Sequence, residues 1–109
     1  MINIKDFGKL DIRVGTIVSA KPLEKAKKQA YHLEIDFGKL GIKQSSAQIT
    51  KNYSIDDLKG KQIVAIVNFS PKKIAGIDSE VLVMGANDDG GEVILLEPQG
   101  EIPNGAKIS

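Results

Sequence analysis

Alternation of apolar and polar side chains predicts three strands in the first half of the chain. Residues 10–20 carry aliphatic or β-branched side chains at every second position: Ile12, Val14, Thr16, Val18 and Ala20. Residues 31–37 alternate more strictly, with Tyr31, Leu33, Ile35 and Phe37 on one parity and His32, Glu34 and Asp36 on the other. This period of two is typical of half-buried strands, and Gly15 would permit a bulge or bend. Residues 42–50 follow a glycine-bounded turn and predict a third, more polar strand.

End signals predict one short helix over residues 52–60. Ser54 is a suitable N-cap, Asp57 three residues later completes a capping box, and Gly60 suits the left-handed position after the last turn. Residues 62–69 form an apolar run that predicts a strand buried on both faces and ended by Pro71. A fifth strand is predicted at residues 81–84, a hairpin partner at 93–96 and a last short strand at 106–108.

Three strands, a short helix and two further strands follow the order of an OB-fold, an all-β, five-stranded Greek-key barrel. We therefore predict one domain over residues 1–109, with an extra C-terminal hairpin. The ligand face of such a barrel lies on strands two and three, between the loop joining strands one and two and the loop joining strands four and five. These loops carry five lysines, with Lys43 of strand three predicted between them: Lys25, Lys27, Lys28, Lys72 and Lys73.

The composition narrows the classes of function. With 15 basic and 14 acidic residues, a net charge of +1 gives no overall attraction to nucleic acid, so any electrostatic binding must come from local charge placement. The absence of cysteine excludes disulfides, thiolate zinc sites and cysteine nucleophiles. Without a signal peptide pattern or an apolar run of membrane-spanning length, we expect a cytoplasmic protein that does not insert into membranes.

Few residues of the chain are candidates for a catalytic role. Its one imidazole, His32, lies on the polar parity of strand two and is expected to be an exposed strand residue. The acidic pairs at residues 56–57 and 88–89 fit helix-start and turn positions. Residues 87–91 lack the ligand spacing of a calcium loop, and no phosphate-binding glycine loop is present. We therefore expect a binding module, not an enzyme, without a metal or cofactor.

The aromatic residues favour folded RNA over single strands as a ligand. Tyr31 and Phe37 share the parity of core residues, which leaves Tyr53 as the aromatic expected to be exposed. Proteins that bind single strands stack bases on exposed aromatic side chains. Recognition of a folded RNA by its shape and backbone fits this chain better.

Residues 68–80, NFSPKKIAGIDSE, resemble the tRNA-binding domain that occurs free-standing and appended to methionyl- and phenylalanyl-tRNA synthetases. The shared features are Asn-x-x-Pro, a basic pair, a glycine and then a serine. Residues 11–17 and 35–38 resemble the family's N-terminal strands, and Pro98 with residues 103–105 resembles its C-terminal segment. The resemblance therefore covers almost the whole chain. Residues 42–50 look like the CsaA branch, small homodimers linked to tRNA binding and to protein-export chaperoning.

The resemblance implies RNA contacts from five residues: Lys43, Asn68, Lys72, Lys73 and Ser79. Asn68 also has a structural interpretation, holding its loop in place, and Gly76 has one as a turn residue with positive φ. Two segments depart from the family pattern. Ala47-Gln48 stands where many members have Ser-Gly, and Val81-Leu82 stands where they have Gly-Met.

The sequence thus predicts a non-catalytic, homodimeric protein that binds tRNA. The dimer is suggested by the extra hairpin and tail, which can cover strand edges by pairing with a second chain. The alternative is a chaperone of protein export that holds unfolded preprotein segments in a groove of the dimer. Its support is the apolar pair Val81-Leu82 and the low net charge.

Overall fold

The computed structural model describes all 109 residues and contains nine strands and two short α-helices. The helices are α1 (Ile4–Phe7) and α2 (Ile55–Leu58). The strands are β1 (Ile12–Pro22), β2 (Tyr31–Asp36), β3 (Ile42–Ala47), β4 (Gln62–Ile66), β5 (Lys72–Ile74), β6 (Ile77–Ser79), β7 (Leu82–Val83), β8 (Gly85–Asn87) and β9 (Val93–Leu95). Neither helix is long or apolar enough to cross a membrane.

The main sheet is antiparallel and has the order β3-β2-β1-β4-β7. It curls until its two edges approach each other: the amide of Glu80, just before β7, donates to the carbonyl oxygen of Gln44 in β3 at 2.8 Å. The result is a nearly closed five-stranded barrel with α2 between β3 and β4. The predicted OB-like barrel is confirmed.

Capping explains why such short helices form. Ser54 accepts the amide of Asp57, and the Asp57 carboxylate accepts the amide of Ser54, as the sequence predicted. Asn3 and Asp6 make the same reciprocal bonds at the start of α1. Helix α1 was not predicted, although its Asn-x-x-Asp pattern carries the same signal.

Two apolar clusters lie on opposite sides of the barrel wall. The inner cluster fills the barrel and includes the fully buried Leu33, Ile35 and Phe37 of the second strand segment. The outer cluster joins β1 to β4 and is covered by the C-terminal tail: Ile12, Val14, Val64 and Ile66, with Ile102 and Ile108 packed against them. This explains why β4 is buried on both faces, as predicted.

The C-terminal tail is bound to β1 without forming a regular strand. The amide of Val14 donates to the carbonyl oxygen of Ala106 at 3.0 Å, and that of Ile108 donates to Ile12 at 2.8 Å. Only an isolated bridge between Arg13 and Lys107 results, where the sequence predicted a short strand. The tail and a C-terminal hairpin both pack on the barrel of their own chain. The hairpin pairs β9 with β8, whereas residues 81–84 were predicted as its partner strand; β7 pairs instead with β4.

The predicted buried parity of β1 holds only in the first half of the strand, where Ile12 and Val14 are buried. Ile17 is fully buried inside the barrel, whereas Val18 is 41% exposed. The pairing of β1 with β2 changes register between Ile17 and Ser19. This irregularity lies after Gly15, the residue that was expected to permit a bulge or bend. Gly15 instead faces the interior, where an added Cβ would lie 2.7 Å from side-chain atoms of Ile35 and Phe37. The missing side chain at Gly15 therefore makes room for the core of β2.

The connection at residues 72–79, predicted to be a loop, is a hairpin. Lys72 lies opposite Ser79 and Lys73 opposite Asp78. The two turn residues, Ala75 and Gly76, have φ of 50° and 91°. Positive φ at both turn positions gives the twist that a two-residue hairpin requires. This geometry supports the structural interpretation of Gly76.

Asp88 stabilises the turn between β8 and β9. Its carboxylate accepts the amides of Gly90 and Glu92 and the side-chain amide of Asn52. Hydrogen bonding, above all with the backbone of Glu92, lowers the pKa of Asp88 below its ordinary value of 3.8. Because the folded state binds this proton more weakly than the unfolded chain, the stabilisation is present above pH 4 and is lost as the pH falls through the lowered pKa.

We expect Asp88→Asn to destabilise the fold at pH 7 because the neutral amide is a weaker acceptor for these three donors. The difference in unfolding free energy between wild type and D88N should shrink as the pH falls from 5 to 2. Urea denaturation at several pH values measures it. A difference that is constant over this range would contradict a role for the carboxylate charge.

Candidate nucleic-acid interface

An open cleft of about 480 Å³ lies where the loop between β1 and β2 meets the tip of the β5–β6 hairpin. The loop contributes Lys25, Lys27 and Lys28, and the hairpin contributes Ile74 and Ala75. Lys25 Cδ lies 3.6 Å from the position that a Cβ on Gly76 would take. The structure therefore brings together two segments that are about 45 residues apart in sequence, as the OB-fold topology predicted.

Polar side chains of β3 and the residues after it complete this cleft. Ser46 and Gln48 line it on the outward parity of the strand, whereas Ser45 points inward and is buried. The Ser45 hydroxyl donates to the carbonyl oxygen of Val81 at 3.1 Å. Ser46 was not predicted as a cleft residue, although the alternation along β3 places it on the outward face.

The hairpin is fixed to the free edge of β3 at its base. The Ser79 hydroxyl oxygen accepts the amide of Ser46 at 3.1 Å, and the Glu80 carboxylate accepts the amide of Gln44 at 3.0 Å. These bonds hold β6 against β3 while the hairpin tip reaches the lysine loop. Ser79 thus positions the neighbouring Lys72, which lies opposite it in the hairpin.

The two hairpin lysines are solvent-exposed. Lys73 Nζ lies 3.4 Å from Asp78 Oδ1, but the two side chains are 73% and 56% exposed. An ion pair this exposed contributes little energy and can give way to a competing anion. Lys72 has no carboxylate within ion-pair distance. Both ammonium groups are therefore available to a phosphate.

Lys43 is not among the residues that line this cleft. Lys43 lies opposite Ile35, on the core-facing parity of β3, and is half-buried. It is separated by four positions from Ala47, where β3 approaches the cleft. At about 3.3 Å per residue this is roughly 13 Å along the strand. Parity and register both move Lys43 away from its predicted position.

Both polar groups of the Asn68 side chain are occupied by the chain segment that precedes β1. Its Oδ1 accepts the amide of Asp11 at 2.9 Å, and its Nδ2 donates to the carbonyl oxygen of Lys9 at 2.9 Å. These bonds support the structural interpretation of Asn68, in which it ties the start of the loop to the barrel.

His32 and the aromatic residues differ from expectation. His32 is half-buried, with Nε2 2.8 Å from Gln44 Oε1, where an exposed residue was predicted. Tyr53 is half-buried and its hydroxyl accepts the amide of Leu95. The exposed aromatic rings are instead Phe69, at 49%, and Phe7, at 37%. Phe69 lies three residues after the end of β4, beyond the buried part of the strand. The apolar character of residues 62–69 alone did not show where burial ends.

A second, smaller depression of about 260 Å³ lies at the base of the hairpin and is more apolar. Phe69, Ile74 and Leu82 line it, and Leu82 is 52% exposed. The predicted site residues Lys72 and Ser79 also line this depression and not the cleft. The departures from the family pattern therefore divide between core and surface: Ala47 and Val81 pack into the inner cluster, whereas Gln48 lines the cleft and Leu82 this depression.

Residues 12–107 match the sequence model of a family described as putative tRNA-binding domain. The chain belongs to this family. Among curated members of the tRNA-binding domain family, the methionine–tRNA ligase of Thermococcus onnurineus is 41% identical over 107 residues, which are 98% of this chain and 14% of the ligase. That of Methanosarcina mazei is 35% identical over 108 residues, covering 99% of this chain and 15% of the ligase. The chain thus spans about 15% of the length of these relatives.

Solved structures give a second comparison. The chaperone CsaA of Bacillus anthracis strain Ames has a TM-score of 0.94 and 57% identity, covering 100% of this chain and 99% of that one. The CsaA chaperone protein of Picrophilus torridus has a TM-score of 0.93 and 53% identity, and the match covers both chains fully. The chain is therefore similar to CsaA proteins over its whole length, as its β3 segment indicated.

Proposed function

We propose that this chain binds tRNA, without catalysing a reaction, through the cleft between the β1–β2 loop and the β5–β6 hairpin. The observation that carries the proposal is the approach of the hairpin tip to the loop that holds Lys25, Lys27 and Lys28. Three lysines of one loop line this cleft, and Lys72 and Lys73 lie on the adjoining hairpin, so that together they give a local positive potential that the net charge of +1 conceals. Membership of the putative tRNA-binding domain family supports tRNA as the ligand. We place this activity in the cytoplasm.

The cleft suits the backbone of a folded RNA. Its lining combines lysines with the hydroxyl of Ser46 and the amide of Gln48, and it contains no aromatic side chain. Lysines neutralise phosphates, and neutral donors can bond phosphate or 2′-hydroxyl oxygens. Such contacts recognise shape and backbone, because stacking on an aromatic platform has no residue to supply it here.

The predicted contact residues take different roles in this proposal. Lys72 and Lys73 contact phosphates, together with the three lysines of the β1–β2 loop. Asn68 and Ser79 hold the hairpin in place through backbone bonds. Lys43 adds positive charge at the far end of β3 and is assigned the smallest contribution.

The double substitution Lys72→Ala with Lys73→Ala is expected to weaken tRNA binding about tenfold at low salt, because two exposed phosphate-binding charges are lost. Fluorescence anisotropy with labelled bulk tRNA measures the affinity. The matched control is Lys39→Ala with Lys59→Ala, which changes the charge equally at exposed sites outside both the cleft and the β5–β6 hairpin. Equal affinities of the K72A/K73A and control proteins would refute the proposed site.

A second candidate function, binding of unfolded preprotein segments for export, is favoured by the apolar depression at Phe69 and Leu82. The two similar CsaA structures are named chaperones, which supports a role in binding proteins. A homodimer would enlarge this apolar surface, and exposed apolar residues such as Ile94 are available to form the dimer contact. Analytical ultracentrifugation measures the oligomeric state. Suppression of aggregation that is equal in wild type and in a variant with Lys25, Lys27 and Lys28 replaced by alanine, but lost in Leu82→Ser, would support this function over RNA binding.

A further inference from the structure

A polar cleft of about 530 Å³ continues from the proposed tRNA-binding cleft toward the turn between β8 and β9. The two clefts share Lys28 and Gln48, so they form one groove across the end of the barrel. The second cleft extends from the shared Lys28 to Glu92. A ligand that lies in the first cleft can therefore extend into the second without leaving the surface.

The lining of this second cleft is suited to a phosphodiester chain. Its polar side chains are the amides of Gln29 and Gln48 and the hydroxyl of Thr50, and only Val93 is hydrophobic. Lys51 supplies a cation at the end away from Lys28. An apolar peptide would find little surface to bury here, and a base would find no ring to stack on.

Lys51 is paired with a carboxylate that a phosphate can replace. Lys51 Nζ lies 3.6 Å from Glu92 Oε1, and the two side chains are 74% and 34% exposed. The Glu92 backbone is held on both sides by Asp88, through bonds of 2.9 Å to its amide and 2.7 Å to its carbonyl oxygen. The backbone of Glu92 is therefore fixed in the turn, and its side chain is the less exposed of the two, whereas the Lys51 side chain is exposed enough to turn toward the groove.

We propose that the groove extends RNA binding to Lys51, which contacts a further backbone phosphate, and that Glu92 competes with this phosphate for the lysine. This inference rests on the proposed tRNA binding and adds to it a contact residue and a built-in competitor. The acidic turn around Asp88 then marks the end of the path, because its carboxylates repel a phosphate chain that runs beyond Lys51.

Glu92→Gln tests the competition directly, since it removes the competing charge and keeps the side-chain shape. With fluorescein-labelled bulk tRNA, we expect E92Q to bind about threefold tighter than wild type and Lys51→Ala to bind about threefold weaker. The slope of log affinity against log salt should fall by about one unit in K51A, for the loss of one phosphate contact. The double variant K51A/E92Q should bind no more tightly than K51A.

Glu97→Gln is the matched control. Glu97 pairs with Lys61 at 3.4 Å in a different surface cleft, so E97Q makes the same change in net charge away from the groove. Equal affinities of E92Q and E97Q, or a gain from E92Q that persists without Lys51, would overturn the extension while K72A/K73A still tests the main site. A wild-type protein that fails to bind tRNA at low salt would overturn both proposals.

Discussion

Valine in place of Gly15 is expected to destabilise the barrel by about 3 kcal/mol, one of the largest effects of any single substitution in this chain. An added Cβ would lie 2.7 Å from Ile35 Cγ2 and 2.7 Å from Phe37 Cδ1. Carbon atoms in contact prefer separations of about 3.5 to 4.0 Å. Ile35 and Phe37 are both fully buried, so neither side chain can move into solvent to relieve the overlap.

Urea denaturation followed by far-ultraviolet circular dichroism measures this effect. Gly100→Ala is the matched control, because no atom lies within 4 Å of the Cβ it would add and its φ is not positive. We expect G100A to stay within about 0.5 kcal/mol of wild type. A G15V protein as stable as G100A would contradict the packing described for the interior of β1.

Elements with local signals were predictable from the sequence. The alternation in β2 identified Leu33, Ile35 and Phe37 as core residues, and all three are fully buried. The capping box of Ser54 and Asp57 identified α2 because both partners lie within four residues of each other. The short helix α1 has the same kind of local signal, the capping box of Asn3 and Asp6, and was equally predictable.

The inward face of β1 could not be read from its own residues. Periodicity tells which side chains share a face, but not which face points into the barrel. Val14 is buried on the outer face because the distant tail residue Ile108 covers that side. Ile17 is buried on the inner face, so both parities of β1 carry buried aliphatic side chains. Only the tertiary fold decides between them.

The candidate site was predictable only as far as the barrel topology determines it. The topology brings the loop of Lys25 to the hairpin of Lys72, which the order of strands was enough to predict. The position of Lys43 depends on strand register, and the reach of the groove to Lys51 depends on how β9 packs on the barrel. Neither arrangement leaves a local trace in the sequence.

Reversing the charge of the three lysines in the β1–β2 loop is expected to weaken tRNA binding by about a hundredfold or more. The substitutions are Lys25→Glu, Lys27→Glu and Lys28→Glu. These side chains are exposed, and the loop meets the hairpin at the proposed cleft, so glutamates there would repel the phosphates that the lysines attract. The fold should persist, because the anchors of this loop are the buried Leu23 and Ala30, which the variant keeps.

The control for this variant makes an equal change of charge elsewhere. Lys5→Glu, Lys39→Glu and Lys59→Glu replace three exposed lysines that lie on α1, after β2 and after α2, outside the cleft. Its tRNA affinity should remain within about tenfold of wild type, since only long-range repulsion acts on it. Comparable losses in the two triple variants would show that net charge, and not the cleft, controls binding.

The affinity for tRNA as a function of salt tests the central claim most directly, measured on wild type and the loop variant. If the cleft binds the RNA backbone, log affinity of the wild type should fall linearly with log salt, with a slope that corresponds to on the order of three to six phosphate contacts. The log affinity of the loop variant should lie far below that of the wild type and should fall less steeply with log salt. A wild type that does not bind at low salt, or one whose affinity matches that of the loop variant at every salt concentration, would contradict the account.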